Sequence, residues 1–197
     1  MIVKKLVKKN NGYYVSIDDK VYPMDEEIIV KYRLVQGKEI SKDILEEALQ
    51  KNDIAGFYNK ALNYTIQYGK SQQEVYDYLY AKGLKPKDIT EIIKELNRVK
   101  VLDDERLISS ITDSLVRKCN GKLLIERKLK EHKFSLELIT KALEEIDSQL
   151  YIEALNRLYF KIKDKYKDEP YVKKMKIKRY LLTRGYTYED IGYIAME

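Results

Sequence analysis

Residues 181–194 read LLTRGYTYEDIGYI, and about a hundred residues earlier residues 78–93 read YLYAKGLKPKDITEII. Lys82-Gly83-Leu84 stands where Arg184-Gly185-Tyr186 stands, and Asp88-Ile89 where Asp190-Ile191 stands. Aligning the apolar positions around them recovers a third copy in between. Val75, Leu79, Leu84, Ile89 and Ile92 correspond to Ile125, Leu129, Phe134, Ile139 and Ala142, and these to Ile177, Leu181, Tyr186, Ile191 and Ile194, at offsets of 50 and then 52 residues. A period of that size marks a chain built from stacked supersecondary units.

The local chemistry of each copy spells a helix, a turn and a second helix. In the first, Ser71 and Glu74 form a Ser-x-x-Glu capping box, and Gly83 closes the helix in the left-handed conformation with Leu84 as its hydrophobic contact. Pro86 then opens the next helix and Asp88 occupies its first turn. In the third copy Gly185 closes the helix, and Thr187 with Asp190 caps the next. The middle copy has Lys133 in place of glycine, a costlier left-handed residue, and Ser135 as the cap. A longer helix leads each unit, over about 54–68, 104–119 and 150–166. Three amphipathic helices in roughly 50 residues are marginal alone and gain stability by stacking on their neighbours.

Ahead of the repeats, residues 2–7, 12–18 and 20–24 alternate apolar and polar side chains. Asn10-Asn11-Gly12 and Asp18-Asp19 supply turn chemistry between them, so a small β-meander is expected. Two helices follow: one over 26–35, stopped by Gly37, and one capped by Ser41 with Ile44, Leu45, Ala48 and Leu49 on one face. The expected fold is all-α: tandem three-helix bundles in an elongated, curved array behind this small N-terminal segment. The expected domains are 1–50, 51–101, 102–148 and 149–197.

Composition narrows the class further. Eight glycines and three prolines are too few for a barrel or sandwich with many tight turns, while 44% apolar residues fill real cores. No run of eighteen apolar residues exists, and MIVKKLVKKNNG lacks the apolar core of a signal peptide, so a cytoplasmic location with no membrane partner is expected. Cys119 is the single cysteine and forms no intrachain disulfide, which fits a reducing compartment. A net charge of +6 favours an anionic partner, nucleic acid first.

Catalytic parts are scarce. Asp103-Asp104 is the most enzyme-like pair, since adjacent carboxylates can hold Mg²⁺ and serve a nuclease. The stronger reading makes Asp103 an N-cap, Asp104 and Glu105 favourable first-turn anions, and Leu102 with Leu107 a hydrophobic staple. His132 is the only histidine, so triads and histidine metal sites lack their members. It aligns with Lys82 and Arg184, which points to a cation at a helix C-terminus. No glycine-rich phosphate loop is present. The expectation is a non-enzyme with no cofactor, no metal and no catalytic residue.

The basic clusters are the stronger signal. Residues 117–133 hold seven Lys or Arg against two acids, and residues 157–184 hold eleven against three. The candidate contacts are Lys122, Arg127, Lys128, Lys130, Lys174, Lys178, Arg179 and Arg184; Lys174, Lys176, Lys178 and Arg179 flank an apolar stripe, from which they reach a phosphate backbone. Tyr159, Tyr166, Tyr171, Tyr180, Tyr186 and Tyr188 interleave with them, and stacking on bases is one use for such rings. The repeat register places Tyr180 and Tyr186 inward.

The order ALNYTIQYGKSQQEVYDYLYAKG, IIKELNRVKVLDDERL, GKLLIERKLKEHKF, LLTRGYTYEDI is similar to the RecX family of recombinase regulators, from about Lys51 onward. The front part, YYVSIDDKVYPMDEEIIVKYRLVQGKEIS, resembles the N-terminal extension of members from low-GC Gram-positive lineages. The family's Leu-Asp-Asp matches Leu102, Asp103 and Asp104, while Leu107 stands where an aromatic often follows and Lys133 where the second unit usually has glycine. The resemblance implies tandem three-helix repeats. It also implies binding of the RecA filament on single-stranded DNA, usually inhibiting its extension, ATP hydrolysis and strand exchange in recombination, DNA repair and the SOS response. Some DNA affinity of its own goes with it; the expected partners are the RecA filament and single- and double-stranded DNA, and a monomer is expected. The alternative is a sequence-tolerant DNA-binding repeat protein that acts only by competing for DNA.

Overall fold

The repeat register carries directly into the core. In the computed structural model, which describes residues 1–9 and 12–194, all fifteen aligned apolar positions are less than 10% exposed. Tyr186 is fully buried, whereas Tyr180 is half-buried against the same core.

Strands β1 (Val3–Lys9), β2 (Gly12–Ile17) and β3 (Lys20–Met24) form an antiparallel meander in the order β1-β2-β3. Val15 pairs with Leu6 and Tyr22, and Asp18 takes the left-handed conformation at the β2–β3 turn. The other expected turn residues, Asn10 and Asn11, lie outside the described residues. Val3, Val15, Ile17 and Met24 point to one face and join Ile28, Ile29, Leu34 and Leu45 in a first core. Helix α1 (Glu26–Lys31) is shorter than its apolar pattern suggests. Arg33 adopts φ +49°, which ends the helix and turns Leu34 into the core before Gly37 is reached.

Helix α2 (Lys42–Tyr68) starts where Ser41 accepts the Ile44 N–H and then runs for 27 residues without a break. It joins what the sequence suggested were two helices on either side of residue 50. No proline interrupts it, and Gly56 alone costs less than a helix end would. The helix therefore serves two cores: Leu45 and Ala48 pack under the sheet, while Ile54, Phe57, Tyr58 and Ala61 pack with the first repeat.

The remaining helices fall into threes. The last part of α2, α3 (Gln72–Ala81) and α4 (Pro86–Arg98) surround one core; α5 (Asp104–Arg117), α6 (Lys122–Glu131) and α7 (Leu136–Glu144) surround the next. Helices α8 (Ser148–Ile162), α9 (Pro170–Thr183) and α10 (Tyr188–Gly192) surround the third. The expected capping box forms at Ser71 with Glu74, and the expected cap at Thr187 with Asp190 is a capping box too. Gly83, Lys133 and Gly185 all take positive φ at the end of the middle helix, so the lysine does adopt the left-handed cap.

Two leading helices end earlier than expected. Helix α5 stops at Arg117 because Cys119 takes φ +56° and Asn120 turns its N–H back to the Leu115 carbonyl. Helix α8 tightens into a 3₁₀ turn, Lys163–Lys165, before Tyr166. The Leu102–Leu107 pair is divided between neighbouring units: Leu102 is buried in the first repeat core, and Leu107 packs against the second.

A helical spine across two unit junctions

The middle helices of the three units meet end to end. The C-terminal end of α9 abuts the N-terminal end of α6: the Gly121 N–H donates to the Arg184 carbonyl at 2.8 Å, and the Leu123 N–H to the Gly185 carbonyl at 3.1 Å. The Lys122 N–H completes the set by donating to the Tyr151 hydroxyl at 3.0 Å. These amides are orphan donors at a helix start, and α6 has no side-chain cap of its own. The following unit caps it instead. Tyr151 in turn donates to Asp190, whose carboxylate also holds the Thr187 N–H.

The other junction repeats the geometry with side chains. The C-terminal end of α6 abuts the N-terminal end of α3, where the Ser71 hydroxyl donates to the His132 carbonyl. His132 Nδ1 lies 3.2 Å from the Glu74 carboxylate, and Lys133 forms an ion pair with Asp77. Burial acts to raise the Glu74 carboxyl, but hydrogen bonds from Lys70, the Ser71 amide and His132 outweigh it and leave the group below its ordinary value. His132 stands at the C-terminal end of α6, the place its alignment with Lys82 and Arg184 suggested, and there it also bridges two units.

The candidate residues sit along this spine. Arg127, Lys128 and Lys130 are exposed on α6, and Lys174 and Arg179 are exposed on α9, with Lys178 half-covered beside them. Lys128 pairs with Glu131 and Lys130 with Glu126 along their own helix. Exposed pairs of that kind contribute little and exchange readily for a phosphate. Two candidates are tied into the junction. The Arg184 guanidinium donates to the Lys118 carbonyl at 2.8 Å, and the Lys122 ammonium lies 5.6 Å from the Tyr151 ring centre. Among the tyrosines, Tyr159 is buried and Tyr166 packs on the third core, while Tyr171 and Tyr188 are largely exposed.

Asp103 and Asp104 are both caps, each for a different helix. Asp103 accepts the Arg106 N–H at the start of α5, whereas Asp104 reaches across to accept the Gln72 N–H at the start of α3. Burial raises the Asp104 carboxyl above its ordinary value, with Asp103 and Glu74 adding to it against the Gln72 hydrogen bond. The neutral acceptor in Asp104→Asn is therefore expected to leave unfolding free energy within about 0.5 kcal/mol of the parent. Asp104→Ala, which strands the amide, is expected to cost about 1–2 kcal/mol in urea unfolding. Among the described residues no group of three or more His, Cys, Asp or Glu could hold a metal ion, and no helix is long and apolar enough to cross a membrane.

The architecture defines a class: stacked three-helix units whose middle helices abut end to end, two of them carrying exposed basic residues. A family model described as "RecX, third three-helix domain" matches residues 149–194. The Regulatory protein RecX of Listeria innocua is 28% identical over 193 residues, covering 96% of this chain and 72% of that protein. That of Streptococcus uberis is 29% identical over 194 residues, covering 96% and 74%. A crystal structure of regulatory protein RecX superposes with a TM-score of 0.77 over 100% of this chain and 99% of that one, at 19% identity. RecX from Lactobacillus salivarius gives 0.67 over 72% and 94%, at 28% identity. The chain is thus similar to regulatory proteins RecX over nearly its whole length, and its last unit matches the third three-helix domain of that family.

Proposed function

We propose that this protein binds the RecA recombinase filament on single-stranded DNA and inhibits its extension, ATP hydrolysis and strand exchange. In this reading it acts in the cytoplasm as a monomer, by binding and not by catalysis, in recombination, DNA repair and the SOS response. Units 51–101, 102–148 and 149–197 lie along the filament, with Lys122, Arg127, Lys128, Lys130, Lys174, Lys178 and Arg179 toward DNA and Arg184 holding the junction between their helices. Similarity to regulatory proteins RecX over 96% of the chain supports the regulatory role. The observation that carries the rest is the spine: two basic helices of successive units meet end to end through backbone hydrogen bonds, so their charges keep a fixed spacing. A polyanionic assembly rewards such spacing because each neutralised phosphate releases counterions.

The deciding measurement is RecA-dependent ATP hydrolysis on single-stranded DNA, with and without this protein. A lower steady-state rate is expected. An unchanged rate at saturating protein overturns the reading. Simple competition for DNA is separated by a second assay, binding to a preformed filament whose DNA is already saturated. Association there is expected, and its absence would leave competition as the mechanism.

A further inference from the structure

Away from the spine the chain shows the opposite sign. A groove of about 820 Å³ runs between α1, α2 and α4, where the sheet segment meets the first repeat. Five carboxylates border it, Asp25, Glu26, Glu27, Glu91 and Glu95, against two ammonium groups, Lys31 and Lys51. Glu95 is held by Arg98 of its own helix at 2.6 Å, while the other four carboxylate residues are exposed. The floor is apolar: Ile54, Ala55 and Tyr58 line it from α2, each only partly covered. In a chain of net charge +6 this concentration of carboxylates marks a surface apart.

Such a groove repels a phosphate backbone, so DNA is the wrong occupant. An apolar floor beneath an acidic rim matches an amphipathic helix whose polar side carries Lys or Arg; the apolar side supplies burial and the rim sets orientation and speeds encounter. A nucleoprotein filament offers two chemistries, phosphate and protein. A ligand with a basic spine and an acidic groove can engage both without the two surfaces competing.

We infer that this groove docks a Lys- or Arg-bearing amphipathic segment of the recombinase protomer, leaving the spine for DNA. The inference rests on the proposed partnership with the RecA filament and assigns the protein-binding face within it.

The test measures binding to RecA filaments assembled on saturated single-stranded DNA, and separately to DNA alone. Two variants are compared with the parent: Glu27→Lys with Glu91→Lys, which reverses the rim, and Ala55→Arg, which fills the floor. Each is expected to weaken filament binding at least tenfold while affinity for DNA alone stays equal or rises. The rim variant changes only exposed side chains, so it remains informative if Ala55→Arg lowers thermal stability. Parent protein that fails to bind the filament sinks the partnership itself. Parent that binds, with a rim variant that binds equally well, overturns the groove assignment alone. Sedimentation velocity without RecA gives the remaining outcome: a parental dimer lost in the rim variant would assign the groove to a second copy of this chain and overturn the inference.

Discussion

Replacing Gly185 with alanine is expected to cost at least about 3 kcal/mol of folding stability, whereas the same change at Gly83 should cost only about 1 kcal/mol. Both glycines close the middle helix of their unit, and both hold nearly the same backbone, φ +86° and +87°. The left-handed penalty is therefore common to the two. What differs is the neighbour. A Cβ on Gly83 meets nothing within 4 Å, while one on Gly185 falls 2.4 Å from the Leu124 nitrogen and 2.5 Å from its Cβ. The crowding is mutual, since a Cβ on Gly121 would lie 2.2 Å from the Gly185 carbonyl group. Backbone cannot swing aside as a flexible side chain does, so relief means separating α6 from α9 and breaking the hydrogen bonds that cap α6. In thermal unfolding, about 2–4 °C per kcal/mol for a chain of this size, the Gly185 variant should melt about 6–12 °C lower and the Gly83 variant about 2–4 °C lower. Equal shifts would mean that the junction yields at little cost.

That contrast also shows how far the sequence could be read. Apolar periodicity and capping residues are local properties, and they located the fifteen aligned core positions, the Ser71–Glu74 capping box and the Thr187–Asp190 cap. Gly83, Lys133 and Gly185 align as one position of the repeat, yet their surroundings are set by the next unit in the stack. At Gly83 no further unit arrives; at Lys133 the contact runs through side chains to Asp77; at Gly185 it is backbone on backbone. No residue type announces that difference. The same limit explains the start of α6. Gly121 offers no capping side chain because its partner carbonyls come from a helix more than sixty residues later in the chain. By its sequence neighbours Asp104 is a first-turn anion of its own helix, and its role for α3 is equally non-local. The unbroken α2 is a local miss of another kind. A change of apolar face near residue 50 looks like a helix end, but here one helix turns two faces toward two cores. At the spine, the sequence located the basic residues and could not distinguish outward cations from Arg184, which binds the Lys118 carbonyl.

Reversing the outward cations of the spine, by Arg127→Glu, Lys130→Glu, Lys174→Glu and Arg179→Glu together, is expected to weaken DNA binding by on the order of 100-fold or more at moderate salt. All four side chains are exposed, so helicity should be unchanged. The salt dependence carries more information than the affinity. If the parent neutralises about five phosphates of duplex DNA, the logarithm of its binding constant should fall with log salt at a slope of about −4 to −5. Removing four contacts should flatten that slope to about −1. Net charge is a competing explanation, because a basic protein attracts DNA from any side. Lys5, Lys20, Lys87 and Lys94 provide the control, since they are equally exposed and lie on the meander and α4. Changing those four to Glu alters the net charge by the same amount away from the spine. The control variant should keep most of the parental slope and the parental suppression of RecA ATP hydrolysis, while the spine variant loses both. If the two variants lose affinity alike, attraction is spread over the whole surface and the fixed spacing along α9 and α6 has no special part in it.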